Sequence, residues 1–360
     1  MAVFESLSQE GHEQVVFGSD PVSGLRAIIA IHSTALGPAL GGTRFYPYQS
    51  EEEALEDVLR LSMGMTYKAA AAGLDLGGGK AVIIGDPQTD KSERLLRAYG
   101  RLVDTLQGRY ITAEDVGTTS ADVDVMRRET SWALGASVGE GGSGDPSPVT
   151  ARGLFQAARA VSQFLWGDSD LAGRRFAVRG VGKVGSAFVQ LLVEARAEVI
   201  VSDSHEAASR NVTETYGVKA VDPDEIHSVD CDIFSPCALG AGLNELTIPQ
   251  LHCMAIVGSA NNQLATLEDS RRLAERGILY APDFVVNAGG LINVYDELNG
   301  YSRTRALHRV DSIYEATMRI LETARDEGIE PNEAAIRVAE RRIADISDLR
   351  RFRRSGDERT

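Results

Sequence analysis

FAVRGVGKVGSAFVQLLVEARAEVIVSD, residues 176–203, is the stretch that decides the fold. Phe176-Ala177-Val178 reads as a strand, and Gly180, Gly182 and Gly185 interrupt it with GxGxxG spacing. Phe188, Val189, Leu192 and Val193 then recur at helical period. The next strand, Val199 to Ser202, ends at Asp203, 18 positions after Gly185. Strand, glycine turn, helix and acid-tipped strand together describe a dinucleotide-binding unit. The first glycine permits the tight turn, the second lets backbone approach a pyrophosphate, and the third lets helix and sheet close up. Lys183 and Val184 belong to the helix start, whose N–H groups and dipole favour an anion. Asp203 would accept hydrogen bonds from ribose hydroxyls and repel a 2′-phosphate. Ser202 and Ser204 beside it offer no arginine to a phosphate, so NAD is expected over NADP. The loops at 236–240 and 258–262 follow two further strands and would line the same crevice, with Ala238 and Asn261 among the cofactor contacts.

Outward from this unit, the first ~135 residues carry another alternation of strands and helices. Leu25 to His32 is a β-rich run. Ser50 with Glu53 forms a capping-box signature, after which Leu55, Val58, Leu59 and Met65 carry a helix to Lys68. Gly77-Gly78-Gly79-Lys80 follows, and the strand Ala81 to Ile84 places Lys80 at its entrance. A lysine fixed behind glycines near a second cation parts more readily with its proton, which suits it to act as a base. A Walker-type phosphate loop is ruled out: Leu74 and Ala81 stand where that motif needs Gly and Ser or Thr. Tyr110 to Thr112 is a short strand that delivers the loop Ala113-Glu114-Asp115-Val116-Gly117.

Residues 139–148 concentrate glycine and proline and read as a hinge. Residues 1–138 then form a catalytic domain, completed by a C-terminal helix over 331–349. Residues 149–330 form the Rossmann domain, and 350–360 read as a flexible tail.

Composition narrows the function classes. The 360 residues suffice for about two domains, and 43% apolar with 25% charged residues is ordinary for a folded soluble chain. A formal net charge of -15 argues against a nucleic-acid partner, whose binding depends on Lys and Arg. The N-terminus has no basic region before an apolar stretch, and no run approaches the ~18 apolar residues of a membrane span. A cytoplasmic location without membrane association is expected. Cys231, Cys237 and Cys253 lack a CxxC pair and the six histidines show no HExxH spacing, so neither disulfides nor a metal are expected.

The strings GPALGGTRFYPY (37–48), MTYKAAAAGLDLGGGKAVIIGDP (65–87), YITAEDVGTT (110–119), GDPSPVTA (144–151), GSANNQL (258–264) and VNAGGLINV (286–294) resemble the amino acid dehydrogenases of the glutamate/leucine/phenylalanine/valine superfamily. The leucine dehydrogenases within it are the nearest likeness. The resemblance implies an α/β protein of two domains, an N-terminal substrate and oligomerisation domain and an NAD-binding Rossmann domain, with the active-site cleft between them. Matching motif positions makes Lys80 the base that activates water and Asp115 the carboxylate that relays protons. Lys68 and Asn262 become partners of the substrate α-carboxylate. Gly41 and Gly42 let backbone meet substrate, and Thr150 holds the nicotinamide amide. Leu40, Ala113, Leu291 and Val294 fall at the positions that surround the side chain in leucine dehydrogenases. Leu291 stands where valine is expected in the nearest relatives, which leaves the choice among leucine, isoleucine and valine open.

The expected activity is reversible NAD-dependent oxidative deamination of branched-chain L-amino acids to 2-oxo acids and ammonia by a homo-oligomer. An aromatic amino acid dehydrogenase is the rival enzyme and would need a roomier pocket. A non-catalytic NAD-binding sensor is the rival of another class. It would have no need of Lys68, Lys80 and Asp115 together.

Overall fold

The computed structural model describes residues 11–238 and 240–347. The chain divides into two units, one of residues up to Gly144 together with those from Arg337 onward, the other of Asp145–Ile336.

In the first unit β1 (Gln14–Asp20), β2 (Leu25–Ser33), β3 (Ala39–Tyr46), β4 (Gly77–Ile84) and β5 (Tyr110–Glu114) form a sheet in the order β1-β2-β4-β3-β5. β3 runs parallel to both β4 and β5, while β1–β2 and β2–β4 are antiparallel. Helix α1 (Glu51–Ala71) covers one face, where Leu55, Val58 and Leu59 pack with Ile28, Ala30 and Val82. Helices α2 (Glu93–Asp104) and α3 (Ser120–Met126) cover the other, where Tyr99 and Val103 join Ile29, Ile31, Phe45 and Tyr110. Each fully buried side chain of this kind contributes about 1.5–3 kcal/mol. α1 begins where Ser50 Oγ accepts from the Glu53 N–H at 3.1 Å. Glu53 reaches back to the N–H of Gln49 at 2.7 Å, one residue ahead of the cap, so the reciprocal half of the expected capping box is displaced by one position. Glu51, Glu52 and Glu53 in the first turn and Lys68 in the last complement the helix dipole.

The glycine triplet lies inside β4 rather than before it, and Lys80 is therefore in mid-strand, not at the strand's entrance. Packing explains the difference. A Cβ on Gly78 would overlap Thr66 of α1, and one on Gly79 would lie 2.7 Å from the Tyr110 ring. Helix and ring close onto the two faces of the strand, and only glycine leaves them room.

The second unit holds β6 (Arg175–Arg179), β7 (Glu198–Ser202), β8 (Lys219–Ala220), β9 (Ile233–Pro236), β10 (Ala255–Ile256) and β11 (Leu279–Tyr280). Their order, β11-β10-β9-β6-β7-β8 with parallel pairing throughout, is that of the doubly wound dinucleotide fold. Helix α4 (Ser147–Trp166) leads in, α5 (Lys183–Glu194) follows the glycine turn, and Phe176 of β6 meets Phe188 of α5 edge-on at 6.1 Å.

The stretch 139–148 contains the end of a short 3-10 turn, Val138–Glu140, and the start of α4, with the division between units at Gly144 and Asp145. The last described helix, Pro331–Ser347, begins in the second unit and ends in the first, where Arg342 donates to the Leu74 carbonyl at 2.6 Å and pairs with Asp75 at 2.8 Å. Residues 348–349 of the expected helix and the tail 350–360 lie outside the described residues. Among the described residues no helix is long and apolar enough to cross a membrane.

Candidate functional site

Side chains alternate along a strand, so Leu40, Gly42 and Arg44 share a face of β3, and Gly78, Lys80 and Val82 share a face of β4. The register Leu40↔Gly78, Leu40↔Ile111 and Gly42↔Ala113 puts these residues, with Ala113 of β5, on the face covered by α1, and Asp115 follows the end of β5. Lys80 is 5% exposed, Leu40 2% and Ala113 7%. Gly42 sits between Lys80 and Ala113 and has no side chain, so Asp115 folds over β3 and its Oδ2 accepts from Lys80 Nζ. Oδ1 accepts from the Val116 N–H at 2.6 Å and faces Arg44 Nε at 3.7 Å. Burial pushes the Asp115 carboxyl upward, but the charge and hydrogen bond of Lys80, then Arg44 and the Val116 N–H, outweigh it and hold the group below the usual aspartate value.

The loop that carries Asp115 is fixed from behind. Thr118 Oγ1 accepts from the Asp115 N–H at 2.8 Å and donates to the Thr43 carbonyl at 2.9 Å, while Val116 accepts from the Phe45 N–H at 2.8 Å. Under the site, Thr43 Oγ1 lies 2.6 Å from both the Tyr99 hydroxyl and Thr112 Oγ1, and the Tyr110 hydroxyl donates to the Gly41 carbonyl at 2.7 Å. A buried and satisfied network of this kind rigidifies the strands that hold the pair. Lys68, half-buried, lies in the last turn of α1. The helical period sets it on the same stripe as Asp57, about three turns on, and Asp57 is bonded to Arg44 of β3 at 2.8 Å. Lys68 therefore shares a flank of α1 with Asp57.

The remaining assigned residues lie in the second unit. Gly180 has φ +97°, and a Cβ there would lie 2.8 Å from that of Ala238. A Cβ on Gly185 would run into the Gly180 carbonyl. Gly182 is exposed, nothing stands within 4 Å of where its Cβ would be, and no side chain caps the first turn of α5. That open turn, with Lys183 and Val184 in it, fits a pyrophosphate. Asp203 is tied to the turn itself: its Oδ2 accepts from the Val181 N–H and its Oδ1 from the His205 N–H, each at 2.8 Å. A carboxylate has about four acceptor sites, so capacity for ribose hydroxyls remains. Lys183 pairs with Asp145 at 3.5 Å.

Thr150, half-buried in the first turn of α4, donates to the Pro146 carbonyl at 3.0 Å and stands against Gly290. Asn261 accepts from Asn287 at 2.8 Å, and the exposed Asn262 takes φ +52°. Leu291 and Val294 fall three apart on the helix Gly289–Tyr295, each 8% exposed. Among the described residues no cluster of His, Cys, Asp and Glu could hold a metal ion.

Sequence reasoning missed Arg44, Asp57 and Tyr48. The strand alternation Leu40, Gly42, Arg44 was the available signal, because it puts the arginine on the lysine's face. Asp57 accepts from Arg44 at 2.8 Å, Tyr48 at 2.7 Å and Arg60 at 2.9 Å.

Residues 12–132 match the Glu/Leu/Phe/Val dehydrogenase dimerisation domain, and 141–210 with 203–351 match the Glutamate/Leucine/Phenylalanine/Valine dehydrogenase domain. The leucine dehydrogenase of Bacillus subtilis is 52% identical over 343 residues, covering 95% of this chain and 94% of that protein. The valine dehydrogenase of Streptomyces coelicolor is 53% identical over 340 residues, covering 94% of this chain and 93% of that one. The crystal structure of L-tryptophan dehydrogenase from Nostoc punctiforme superposes with a TM-score of 0.86 at 46% identity, covering 96% and 99% of the two chains. With both domains matched and relatives this similar along nearly the whole chain, the protein belongs to the glutamate/leucine/phenylalanine/valine dehydrogenase family.

Proposed function

We propose that the chain catalyses the reversible NAD-dependent oxidative deamination of branched-chain L-amino acids to 2-oxo acids and ammonia. The observation that carries this reading is the Lys80–Asp115 pair, buried on one sheet face beside apolar Leu40 and Ala113. NAD, when bound, supplies a nicotinamide that accepts the hydride leaving Cα. Gly180, Gly182, Lys183, Val184, Gly185, Ala238 and Asn261 are the residues assigned to hold it, with Thr150 at the nicotinamide amide and Asp203 at the ribose.

The protein's share of the chemistry is proton traffic. Lys68 and Asn262 bind the α-carboxylate, and Gly41 and Gly42 give backbone access. Asp115 accepts the proton that the substrate ammonium must lose. Lys80 takes a proton from the water that attacks the imine carbon, and Asp115 then returns its proton to the nitrogen so that ammonia can leave as the carbinolamine collapses. Leu40, Ala113, Leu291 and Val294 are the assigned partners of the substrate side chain. They suit an aliphatic group, whereas a glutamate side chain would be left unpaired among them at a cost of several kcal/mol. A match to a dimerisation domain over 12–132 supports a homo-oligomer.

A second reading, an aromatic substrate, is favoured by the 46% identity to an L-tryptophan dehydrogenase. NADH absorbance measured across leucine, isoleucine, valine, phenylalanine, tryptophan and glutamate, with NAD and with NADP, decides between them. Highest kcat/KM on an aliphatic substrate with NAD supports the proposal. Highest kcat/KM on phenylalanine or tryptophan transfers it to the second reading, and no turnover on any of them defeats both.

A further inference from the structure

A lysine that acts as a base must be neutral at one stage of the reaction. At that stage Asp115 loses the cation on its Oδ2 while its side chain is still only 21% exposed. A carboxylate left in that position tends to take up a proton and cease to act as an acceptor. We propose that Arg44 is the fixed countercharge that keeps Asp115 a carboxylate when Lys80 first becomes uncharged, so that Asp115 is free to take its proton from the substrate amine, and that Arg44 reserves Oδ2 as the oxygen that trades protons.

The geometry supports each part of this. Arg44 Nε lies 3.7 Å from Asp115 Oδ1, a charge contact too long for a hydrogen bond. That Nε is buried and has no hydrogen-bond partner among the described residues, so it is available to Oδ1. The far end of the guanidinium cannot swing away: Nη1 is 2.8 Å from Asp57 Oδ2, and Asp57 is itself held by Tyr48 at 2.7 Å and Arg60 at 2.9 Å. With Arg44 and the Val116 N–H on Oδ1, only Oδ2 faces Lys80. A guanidinium never deprotonates near neutral pH, so the countercharge is present at every stage of the reaction.

The charged groups that act on Asp115 are Lys80 of β4 and Arg44 of β3. Asp57 and Arg60 of α1, with Tyr48 ahead of it, stand behind Arg44. Glu114 accepts from Ser120, and Asp122 of α3 is paired with Lys91 at 2.7 Å.

Arg44 is thus a positioning residue, and its role rests on the reading of Lys80 and Asp115 as the proton-transfer pair. The test is the pH profile of kcat/KM for L-leucine in Arg44→Gln and Arg44→Lys. Without the positive charge the coupled pair should release its protons at higher pH, so the acidic limb of Arg44→Gln should move up by about one unit. kcat should fall, the KM for NAD should stay, and Arg44→Lys should keep its limb near that of the wild type. Equal loss of activity at every pH in Arg44→Gln, with the limb unmoved, would make Arg44 merely structural and overturn the proposal.

A second measurement needs no change at Arg44. In Lys80→Ala labelled with 13C-carboxyl aspartate, the Asp115 signal, assigned by its loss in the Asp115→Asn background, should be that of a carboxylate at neutral pH. A protonated Asp115 there also overturns the proposal. Turnover retained in Lys80→Ala would instead remove the catalytic reading beneath it, a separate and distinguishable failure.

Discussion

Gly42 lies directly against the carboxylate of Asp115: a Cβ added at Gly42 would come within 2.8 Å of the Asp115 Cβ and 3.1 Å of its Oδ2. The glycine is what allows Asp115 to cross β3 and reach Lys80. Gly42→Ala should therefore push the carboxylate aside and lower kcat by roughly 100-fold, the scale of a misplacement of about 1 Å. The same methyl group would also meet the Glu114 carbonyl at 2.6 Å, so a stability loss of about 1–3 kcal/mol is expected alongside. Steady-state kinetics below the melting temperature separate the two effects. A kcat within twofold of the wild type would show that the strand tolerates the methyl group and that Gly42 does not set the pair.

Lys80→Ala should abolish turnover and leave NAD binding nearly intact. The glycine turn and Asp203 belong to the other unit and make their hydrogen bonds within it. Calorimetric titration with NAD beside an NADH-absorbance assay checks both halves. Near-normal kcat in the variant would remove Lys80 from the chemistry.

Asp203→Ser should raise activity with NADP relative to NAD by relieving repulsion of a 2′-phosphate. The structure adds a second effect. Asp203 also accepts the Val181 N–H at 2.8 Å, so the glycine turn loses a brace and the KM for NAD should rise as well. An unchanged NADP-to-NAD ratio, with or without weaker NAD binding, would confine Asp203 to bracing the turn.

The parts of this protein that follow from local pattern were legible in the sequence. The strand-turn-helix at 176–194 and the acid at 203 obey spacing rules that hold whatever surrounds them. The helix to Lys68 was legible for the same reason, because Ser50 and the apolar stripe are local signals. What stayed hidden depended on packing across strands. Gly77-Gly78-Gly79 reads as a loop until Thr66 and the Tyr110 ring are seen to close on the two faces of β4. Arg44 carries no local mark of its role until the pairing of β3 with β5, which ends at Thr43↔Glu114, brings it within 3.7 Å of Asp115, and Asp57 of α1 holds it there. Register is a tertiary property, so a residue whose role comes from the neighbouring strand leaves only a period-two hint in its own.

Asp57 gives a prediction about acid stability. Burial raises its pKa, but the Tyr48 hydroxyl and the Arg44 and Arg60 guanidiniums outweigh burial and hold it below the usual aspartate value. Its stabilising contribution is then fully present above the unfolded aspartate pKa of about 3.9 and is lost as pH falls through the lower folded value. Asp57→Asn should melt below the wild type at pH 5–7 by an amount equivalent to about 1.5–3 kcal/mol, the range for hydrogen bonds to a charged group. The gap should narrow below about pH 4. Thermal melts of the two proteins from pH 3 to 7 test this, and a gap independent of pH would mean that the amide's shape, not the lost charge, causes the destabilisation.

Leu291 offers the sharpest test of side-chain recognition. It shares one side of the helix Gly289–Tyr295 with Val294, and each is 8% exposed, whereas Ile292 and Asn293 between them are fully buried. That places the two assigned residues at the margin of their unit's core, where a side chain can face a ligand without serving only as packing. If Leu291 bounds the substrate side chain, Leu291→Val removes one methylene from that wall. Leucine should then gain over valine in kcat/KM by up to roughly tenfold, the scale of a methylene in an apolar pocket. The pH profile should stay where it is, because Lys80 and Asp115 are untouched. Competition kinetics with the two amino acids measure the ratio directly. A leucine-to-valine ratio that stays fixed while both activities fall together would assign Leu291 to packing of its helix and take it out of substrate choice.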